Sequence, residues 1–234
     1  MISPNKRDPQ NSTPNNSNQA TTITDDKQLD ILVSQLAKEN LENSIPSLLE
    51  MVNSSEKARQ FYGAKCLRKL LAIKKDPSIQ GLIDAGGVPP LAQLMQFSTE
   101  PKIQHEAAQA VTNLCSGTPE QTLQVLSSGA LQSFLALLDS PNEEIVEQGL
   151  WDLGNLRVDS TEIRDLVLQY DAVGSLVNVL ESNPSLSMKQ QGMWILSSLC
   201  REEPAPPYEL TSKAVPVICD CIKLEEEQLL TDAV

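Results

Sequence analysis

Trp151 and Asn155 are the residues whose types and spacing most clearly indicate binding chemistry, within EQGLWDLGNLRVDS at residues 147–160. Being four residues apart, they share one face of a helix, with Glu147 and Gln148 one turn earlier. An asparagine amide offers a donor and an acceptor to the backbone of an extended peptide, and an indole attracts Lys and Arg side chains. Glu147 would receive their charge. The structural alternative places Trp151 in the core and Asn155 at a helix cap.

Residues that could support catalysis or bind a metal are scarce. His105 is the only histidine among the 234 residues, and the sequence has no phosphate-binding glycine loop, nucleophile elbow or H-E-x-x-H motif. The five cysteines are scattered, and Cys219 and Cys221 form C-x-C without a second pair that would complete a zinc site. We therefore predict no enzyme activity, no catalytic residue, no cofactor and no metal. The cysteines are predicted to be reduced intracellular thiols.

The charge of the chain bears on its partner. The formal net charge is −13, which argues against nucleic acid, because phosphate binding needs clustered Lys and Arg. The same charge favours a basic ligand. The start of the sequence has no secretory leader, and no stretch approaches the ~18–20 apolar residues of a membrane span. We therefore predict no association with nucleic acid or with a membrane.

Two sequence patterns recur in phase along the chain and define the elements that position Trp151. Segments of the first pattern begin at Gly86, Gly129, Asp171 and Lys213, at steps of 43, 42 and 42 residues. Segments of the second pattern span 106–115, 147–156 and 190–199. A period of about 40 residues indicates a helical solenoid of the armadillo or HEAT kind. A weak first helix, a second helix and a longer third helix, such as that predicted from Glu143 to Arg157, favour armadillo.

Composition divides the chain into two regions. Residues 1–25 are rich in Asn, Ser, Thr and Pro, which predicts a disordered tail. Apolar residues at helical spacing begin near Leu29, so residues 26–234 are predicted to form an all-α solenoid of about four to five units. The chain ends at Val234 inside an unfinished long helix. We therefore expect an incomplete last unit, and a chain that is a fragment or a truncated product.

From about Gln60 onward, the repeats resemble those of importin α, the armadillo-repeat adaptor of nuclear import. The segments that carry the resemblance are EAAQAVTNLCSGTPEQT, EQGLWDLGNLRVDSTEIRD and QQGMWILSSLCR. The resemblance implies a right-handed superhelical solenoid of three-helix units with a concave Trp/Asn-lined groove. It also implies that the protein binds the basic nuclear localisation signals of cargo proteins and is found in the cytoplasm and the nucleus.

The resemblance further implies a set of peptide-binding residues. The tryptophan and asparagine positions of the groove are Trp151, Asn155, Trp194 and Asn113. The pocket for the key lysine comprises Asp159, Thr122 and the carbonyl of Gly117, with Ser116 beside it. The flanking positions are Glu147, Gln148 and Gln191.

The sequence departs from the family pattern at several positions. Gln109 replaces one tryptophan, Ser198 replaces one asparagine, and Gln191 stands where asparagine is usual. The N-terminal region has only Lys6 and Arg7 in place of an arginine-rich segment, so binding to importin β through this chain alone is not expected. The alternative function is an armadillo-repeat interaction scaffold for acidic or apolar peptides.

Overall fold

A computed structural model describes residues 26–38, 41–73, 79–156, 160–182, 184–201 and 203–223, and the regular structure in these ranges is helical. The helices are α1 Asp26–Lys38, α2 Leu41–Val52, α3 Lys57–Ile73, α4 Ile79–Asp84, α5 Val88–Phe97, α6 Pro101–Leu114, α7 Pro119–Val125, α8 Leu131–Leu138, α9 Glu143–Gly154, α10 Thr161–Gln169, α11 Ala172–Glu181, α12 Leu186–Arg201, α13 Tyr208–Thr211 and α14 Ala214–Lys223. The predicted all-α class is confirmed. The predicted disordered tail and residues 224–234 lie outside the described residues.

The helices pack in three rows that run along the solenoid. The rows are α4, α7, α10 and α13, then α2, α5, α8, α11 and α14, then α3, α6, α9 and α12. Each helix contacts its counterpart in the next unit, as stacking of repeats requires. We call the last row the third-helix row. It carries the Trp151 and Trp194 positions.

One apolar cluster runs through the whole array. It extends from Val33 to Val217 and is built mainly from Leu, Val, Ile and Ala, with Phe134 as its one fully buried aromatic among the described residues. No single unit could bury its own apolar faces, so the cluster arises from stacking. The helices of the third-helix row therefore pack against the core on one side and face solvent on the other.

A proline and a capping residue explain where two of the third helices begin. Pro101 occupies the first turn of α6, where its missing N–H is not needed. At the start of α9 the Asn142 side chain accepts a hydrogen bond from the Glu144 backbone N–H at 3.0 Å. The sequence predicts this start correctly, but α9 ends at Gly154, before the predicted end at Arg157. Asn155 follows with φ −83° and ψ −7°, and its backbone N–H bonds back to the last turn.

The first residue of each repeat pattern has a left-handed backbone in three successive units. Gly86 has φ 71°, Gly129 has φ 100° and Asp171 has φ 58°. Glycine adopts this conformation without a steric cost, and aspartate tolerates it better than most residues. The fourth position, Lys213, donates from Nζ to the Asp171 carboxylate at 2.7 and 2.9 Å. Each repeat thus begins at a turn where the backbone conformation, more than side-chain contacts, restricts which residue type can occupy the position.

Replacing Gly129 with alanine should lower the free energy of unfolding by about 1 kcal/mol, because a left-handed β-carbon costs roughly 1–2 kcal/mol and a stiffer unfolded chain offsets part of it. No atom lies within 4 Å of a β-carbon built there, so the cost is purely conformational. Urea unfolding followed by circular dichroism measures the change. Gly129→Asn is the matched comparison and should lose less, and equal losses for the two variants would contradict the explanation.

Candidate functional site

A cavity of about 460 Å³ lies beside Trp151 on the third-helix row. We call it the Trp151 pocket, and its lining residues are His105, Gln109, Glu144, Glu147, Gln148, Trp151 and Gln191. They come from α6, α9 and α12. The indole of Trp151 is 46 % exposed, so it is a surface residue and not part of the core. Four of the predicted site residues, Glu147, Gln148, Trp151 and Gln191, therefore meet around one cavity.

Hydrogen bonds between α9 and α12 position the carboxylate of this pocket. Gln191 donates to the Ser187 hydroxyl, which donates to Glu147 Oε1, each at 3.4 Å. Both bonds are long, and all three residues are near the surface. They hold Glu147 toward the next unit while leaving its charge beside the indole. The pocket can accept a cation because its lining contains two carboxylates and, within the described part of the chain, no lysine or arginine.

Trp194 occupies the next position along the row. It is also 46 % exposed. A β-carbon at Gly154 would lie 3.2 Å from Trp194 Cζ3, so the glycine leaves room for this indole against the end of α9. Trp194 belongs to α12, and its indole thus lies against the C-terminal end of α9, beside the turn at Asn155.

Side chains at the three asparagine positions bond to nearby backbone. Asn155 Nδ2 donates to the Trp151 carbonyl at 2.7 Å, and Ser198 Oγ donates to the Trp194 carbonyl at 2.9 Å. Asn113 Nδ2 instead crosses to the preceding unit and donates to the Arg68 carbonyl at 3.1 Å. The amide oxygens of both asparagines remain the atoms able to accept from a peptide backbone N–H. Each amide nitrogen also has a second N–H, which can donate to a peptide carbonyl while the bond to the protein backbone is kept.

The residues assigned to the lysine pocket lie around the turn between α6 and α7. Thr122 is only 1 % exposed, and its hydroxyl donates to the Cys115 carbonyl at 3.0 Å. Ser116 is exposed and donates to the Asn113 carbonyl at 2.6 Å, while Gly117 is half-buried. Thr122 therefore supports the turn from inside, whereas Ser116 lies at the surface. Asp159 falls outside the described residues.

Asp152 is a functional candidate that sequence reasoning missed. It is fully buried next to Trp151, and its Oδ1 lies 3.0 Å from the hydroxyl of Thr112 on α6. Burial raises the pKa of this carboxyl to about 7, against the opposing effect of its side-chain hydrogen bonds. Its other oxygen has no hydrogen-bond partner among the described residues. The helical spacing of Gly149, Asp152 and Leu156 could have placed it on the buried face.

His105 and Glu144 were also missed as lining residues of the Trp151 pocket. Each lies one helical turn before a residue already considered, His105 before Gln109 and Glu144 before Gln148. The spacing of four residues could have identified them.

The described residues contain neither a metal site nor a membrane-spanning helix. Within the described ranges, no three His, Cys, Asp or Glu side chains group closely enough to hold a metal ion. In the same part of the chain, no helix is both long and apolar enough to cross a membrane.

Comparison with known proteins identifies relatives of the chain. The family model of the Armadillo/beta-catenin-like repeat matches residues 75–116 and 118–157. The chain is 38 % identical to importin subunit alpha-1b of Oryza sativa subsp. japonica over 81 % of its length, and 38 % identical to importin subunit alpha-2 of Arabidopsis thaliana over 81 %. It is 37 % identical to importin subunit alpha-B of Dictyostelium discoideum over 87 %. The chain spans 35 %, 36 % and 40 % of these relatives, respectively.

Solved structures show the same fold. A designed armadillo repeat protein in complex with the peptide (KR)4 superimposes with a TM-score of 0.72 at 20 % identity, covering 88 % of this chain and 87 % of that one. A computationally designed armadillo repeat protein for modular peptide recognition gives 0.71 at 20 % identity, covering 89 % and 92 %. The armadillo architecture predicted from the repeat period is confirmed.

Proposed function

Since the chain belongs to the importin α family of armadillo-repeat proteins, we propose that it binds basic peptide segments, of the nuclear localisation kind, along the third-helix row. As a member of that family it is a binding protein and not an enzyme. The proposal extends to cargo recognition in the cytoplasm and the nucleus.

One observation carries the proposal. The half-exposed indole of Trp151 and the carboxylates of Glu144 and Glu147 surround one open cavity. A lysine or arginine stem can lie along the indole, where the apolar contact and the cation–π attraction act together. Its charged end then faces the carboxylates. The net charge of −13 adds a long-range attraction for cations.

The remaining predicted residues extend the site in both directions. Asn113 and Asn155 would accept peptide backbone N–H groups, with Trp194 as a second indole surface for a stem. Gly117 and Asp159, with the exposed Ser116 beside them and the buried Thr122 supporting the turn, would form the lysine pocket that the family resemblance implies. A lysine ammonium has three donors, which a carboxylate, a carbonyl and a hydroxyl can satisfy. The designed armadillo repeat protein solved in complex with (KR)4 supports the proposal, because its architecture accommodates a peptide of alternating lysine and arginine.

The test compares a fluorescent Lys-Lys-x-Lys peptide with its glutamate counterpart by anisotropy, at low and moderate salt. We expect the basic peptide alone to bind, and to bind about tenfold more weakly at 300 mM than at 50 mM salt because screening weakens exposed charge pairs. Glu147→Gln should weaken binding by about twofold to fivefold, as expected for one exposed charge contact.

Glu143→Gln is the matched control, because it removes the same charge from the same helix and lines a separate cavity. It should change affinity less than twofold. Binding of the acidic peptide, or an affinity independent of salt, would support the scaffold alternative instead.

A further inference from the structure

A second and larger cavity, of about 780 Å³, opens between α3, α6 and α9. We call it the α3-side pocket. Its apolar walls are formed by Phe61, Tyr62, Ala108, Leu137 and Ile145. The rings of Phe61 and Tyr62 meet edge-on, with centroids 5.2 Å apart and planes at 69°. A volume of this size is ample for one large side chain, and two aromatic walls provide a surface that an apolar group would cover.

The α3-side pocket adjoins the Trp151 pocket. His105, Glu144 and Gln148 line both cavities. Neighbouring helices lie about 8–10 Å apart, and an extended peptide advances ~3.3 Å per residue. A peptide held at Trp151 would therefore place another side chain in the α3-side pocket about two to three residues away.

The two pockets differ in charge. The Trp151 pocket is lined by Glu144 and Glu147 and, among the described residues, by no lysine or arginine, whereas the α3-side pocket is lined by Lys65 and Lys102 together with Glu106 and Glu144. The Lys65 ammonium lies 5.0 Å from the centre of the Phe61 ring. The Glu106 carboxylate at this pocket is already paired with Arg68. A basic side chain would thus meet Lys65 and Lys102 as well as Glu144, whereas an uncharged apolar one would meet aromatic and aliphatic walls.

We propose that the α3-side pocket takes one bulky apolar side chain, of the phenylalanine or leucine kind, from the same peptide whose basic residues bind at Trp151. This inference rests on the proposed function and adds a specificity element to it. The ligand is then a basic cluster followed or preceded, about two to three residues away, by an apolar anchor. A second basic residue at that position is disfavoured by Lys65 and Lys102.

The experiment uses the full chain and four fluorescent peptides with one common Lys/Arg cluster. One peptide has serine in both flanks, two carry phenylalanine about three residues before or after the cluster, and one carries lysine at the better of those positions. We expect one phenylalanine peptide to bind about tenfold more tightly than the serine peptide, which is ~1.4 kcal/mol. The lysine peptide should gain less than the phenylalanine peptide.

Variants locate the gain. Ile145→Ser and Tyr62→Ala should remove the advantage of phenylalanine while leaving the serine peptide unchanged, which also shows that the proteins are folded. Val215→Ser, at a 44 % exposed apolar residue on α14, is the matched control and should keep the advantage. Lys102→Glu changes an exposed residue and should improve binding of the lysine peptide severalfold relative to the serine peptide.

The outcomes distinguish failure of the apolar anchor from failure of basic-peptide binding itself. If the serine peptide binds but neither phenylalanine position gives a gain, the anchor is refuted and basic-peptide binding stands. A full advantage retained in Ile145→Ser and Tyr62→Ala would also refute it. If no peptide with the basic cluster binds, the proposed function fails and the anchor fails with it.

Discussion

Replacing Asp152 with asparagine is expected to stabilise the folded protein at pH 8 by several kcal/mol, and to flatten its stability between pH 4 and pH 7. Asparagine has nearly the same shape, and its Oδ1 can keep the hydrogen bond from Thr112. It carries no charge, so the cost of burying a carboxylate between α6 and α9 disappears. Removing that cost contributes on the order of 4 kcal/mol, because the pKa of Asp152 is raised from 3.8 to about 7 and each unit is worth ~1.4 kcal/mol, and the unpaired amide N–H groups at the Oδ2 position offset part of it.

The Thr112 hydroxyl can bond to either protonation state of Asp152, but its hydrogen bond and that of Gln148 lower the pKa, so burial is what raises it. The Thr112 hydroxyl lies 3.0 Å from the Ala108 carbonyl oxygen and 3.0 Å from Asp152 Oδ1. Its single proton can serve only one of these acceptors. When Asp152 is protonated, the carboxyl can donate to Thr112 while Thr112 donates to Ala108, so both contacts become hydrogen bonds. When Asp152 is ionised, Thr112 can donate to the carboxylate instead.

The direction of the pH dependence follows from proton binding. The unfolded carboxyl ionises near pH 4, whereas the folded one keeps its proton until about pH 7. Between these values the folded state binds more protons than the unfolded state, so the contribution of Asp152 to the free energy of unfolding falls as pH rises. Burial raises the pKa of the neighbouring Cys115 thiol to about 12, so that thiol stays neutral over this range.

Urea unfolding at pH 4.5, 6 and 8 measures this effect. The free energy of unfolding of Asp152→Asn relative to wild type should rise by about 3 kcal/mol between pH 4.5 and pH 8. Asp139→Asn removes the same formal charge at an exposed site and is the matched control. A gain that is independent of pH, or equal in the two variants, would mean that burial of Asp152 is not the cause.

The sequence predicts the repeat, and hence much of the fold, because each unit imposes the same packing on its neighbours. The left-handed turns at Gly86, Gly129 and Asp171 fall at the predicted repeat origins. Helix periodicity also places Glu147, Gln148 and Trp151 correctly on one side of α9. These features depend on local geometry, which the order of residues determines directly.

Contacts between units were harder to predict. Thr112 pairs with Asp152, 40 residues away, Asn113 with Arg68, 45 away, and Ser187 with Glu147, 40 away. The repeat period fixes which helices are neighbours, but the choice of partner depends on the axial offset between them. The buried position of Thr122 and the α3-side pocket arise in the same way. They depend on how two helices meet, and no single-helix pattern encodes that.

Replacing Trp151 with alanine is expected to weaken binding of the basic peptide by about 30-fold or more, since an exposed aromatic at the centre of a site commonly contributes ~2 kcal/mol or more. The indole is a wall of the pocket that also contains Glu144 and Glu147, so its loss removes the apolar contact and the cation–π attraction together. Stability should change little, because the side chain is 46 % exposed. Titration calorimetry and thermal unfolding measure the two effects separately.

Gln109→Trp tests the same site in the opposite direction. Gln109 lines the Trp151 pocket from α6, so an indole there would face Trp151 across the cavity and complete a slot for a lysine or arginine stem. We expect affinity for the basic peptide to rise severalfold in Gln109→Trp and to fall again in the Gln109→Trp, Trp151→Ala double variant. Tyr170→Ala, at a 39 % exposed aromatic after α10, is the control and should leave affinity unchanged. If Trp151→Ala and Tyr170→Ala have the same affinity as wild type, the peptide does not lie across the third-helix row at Trp151.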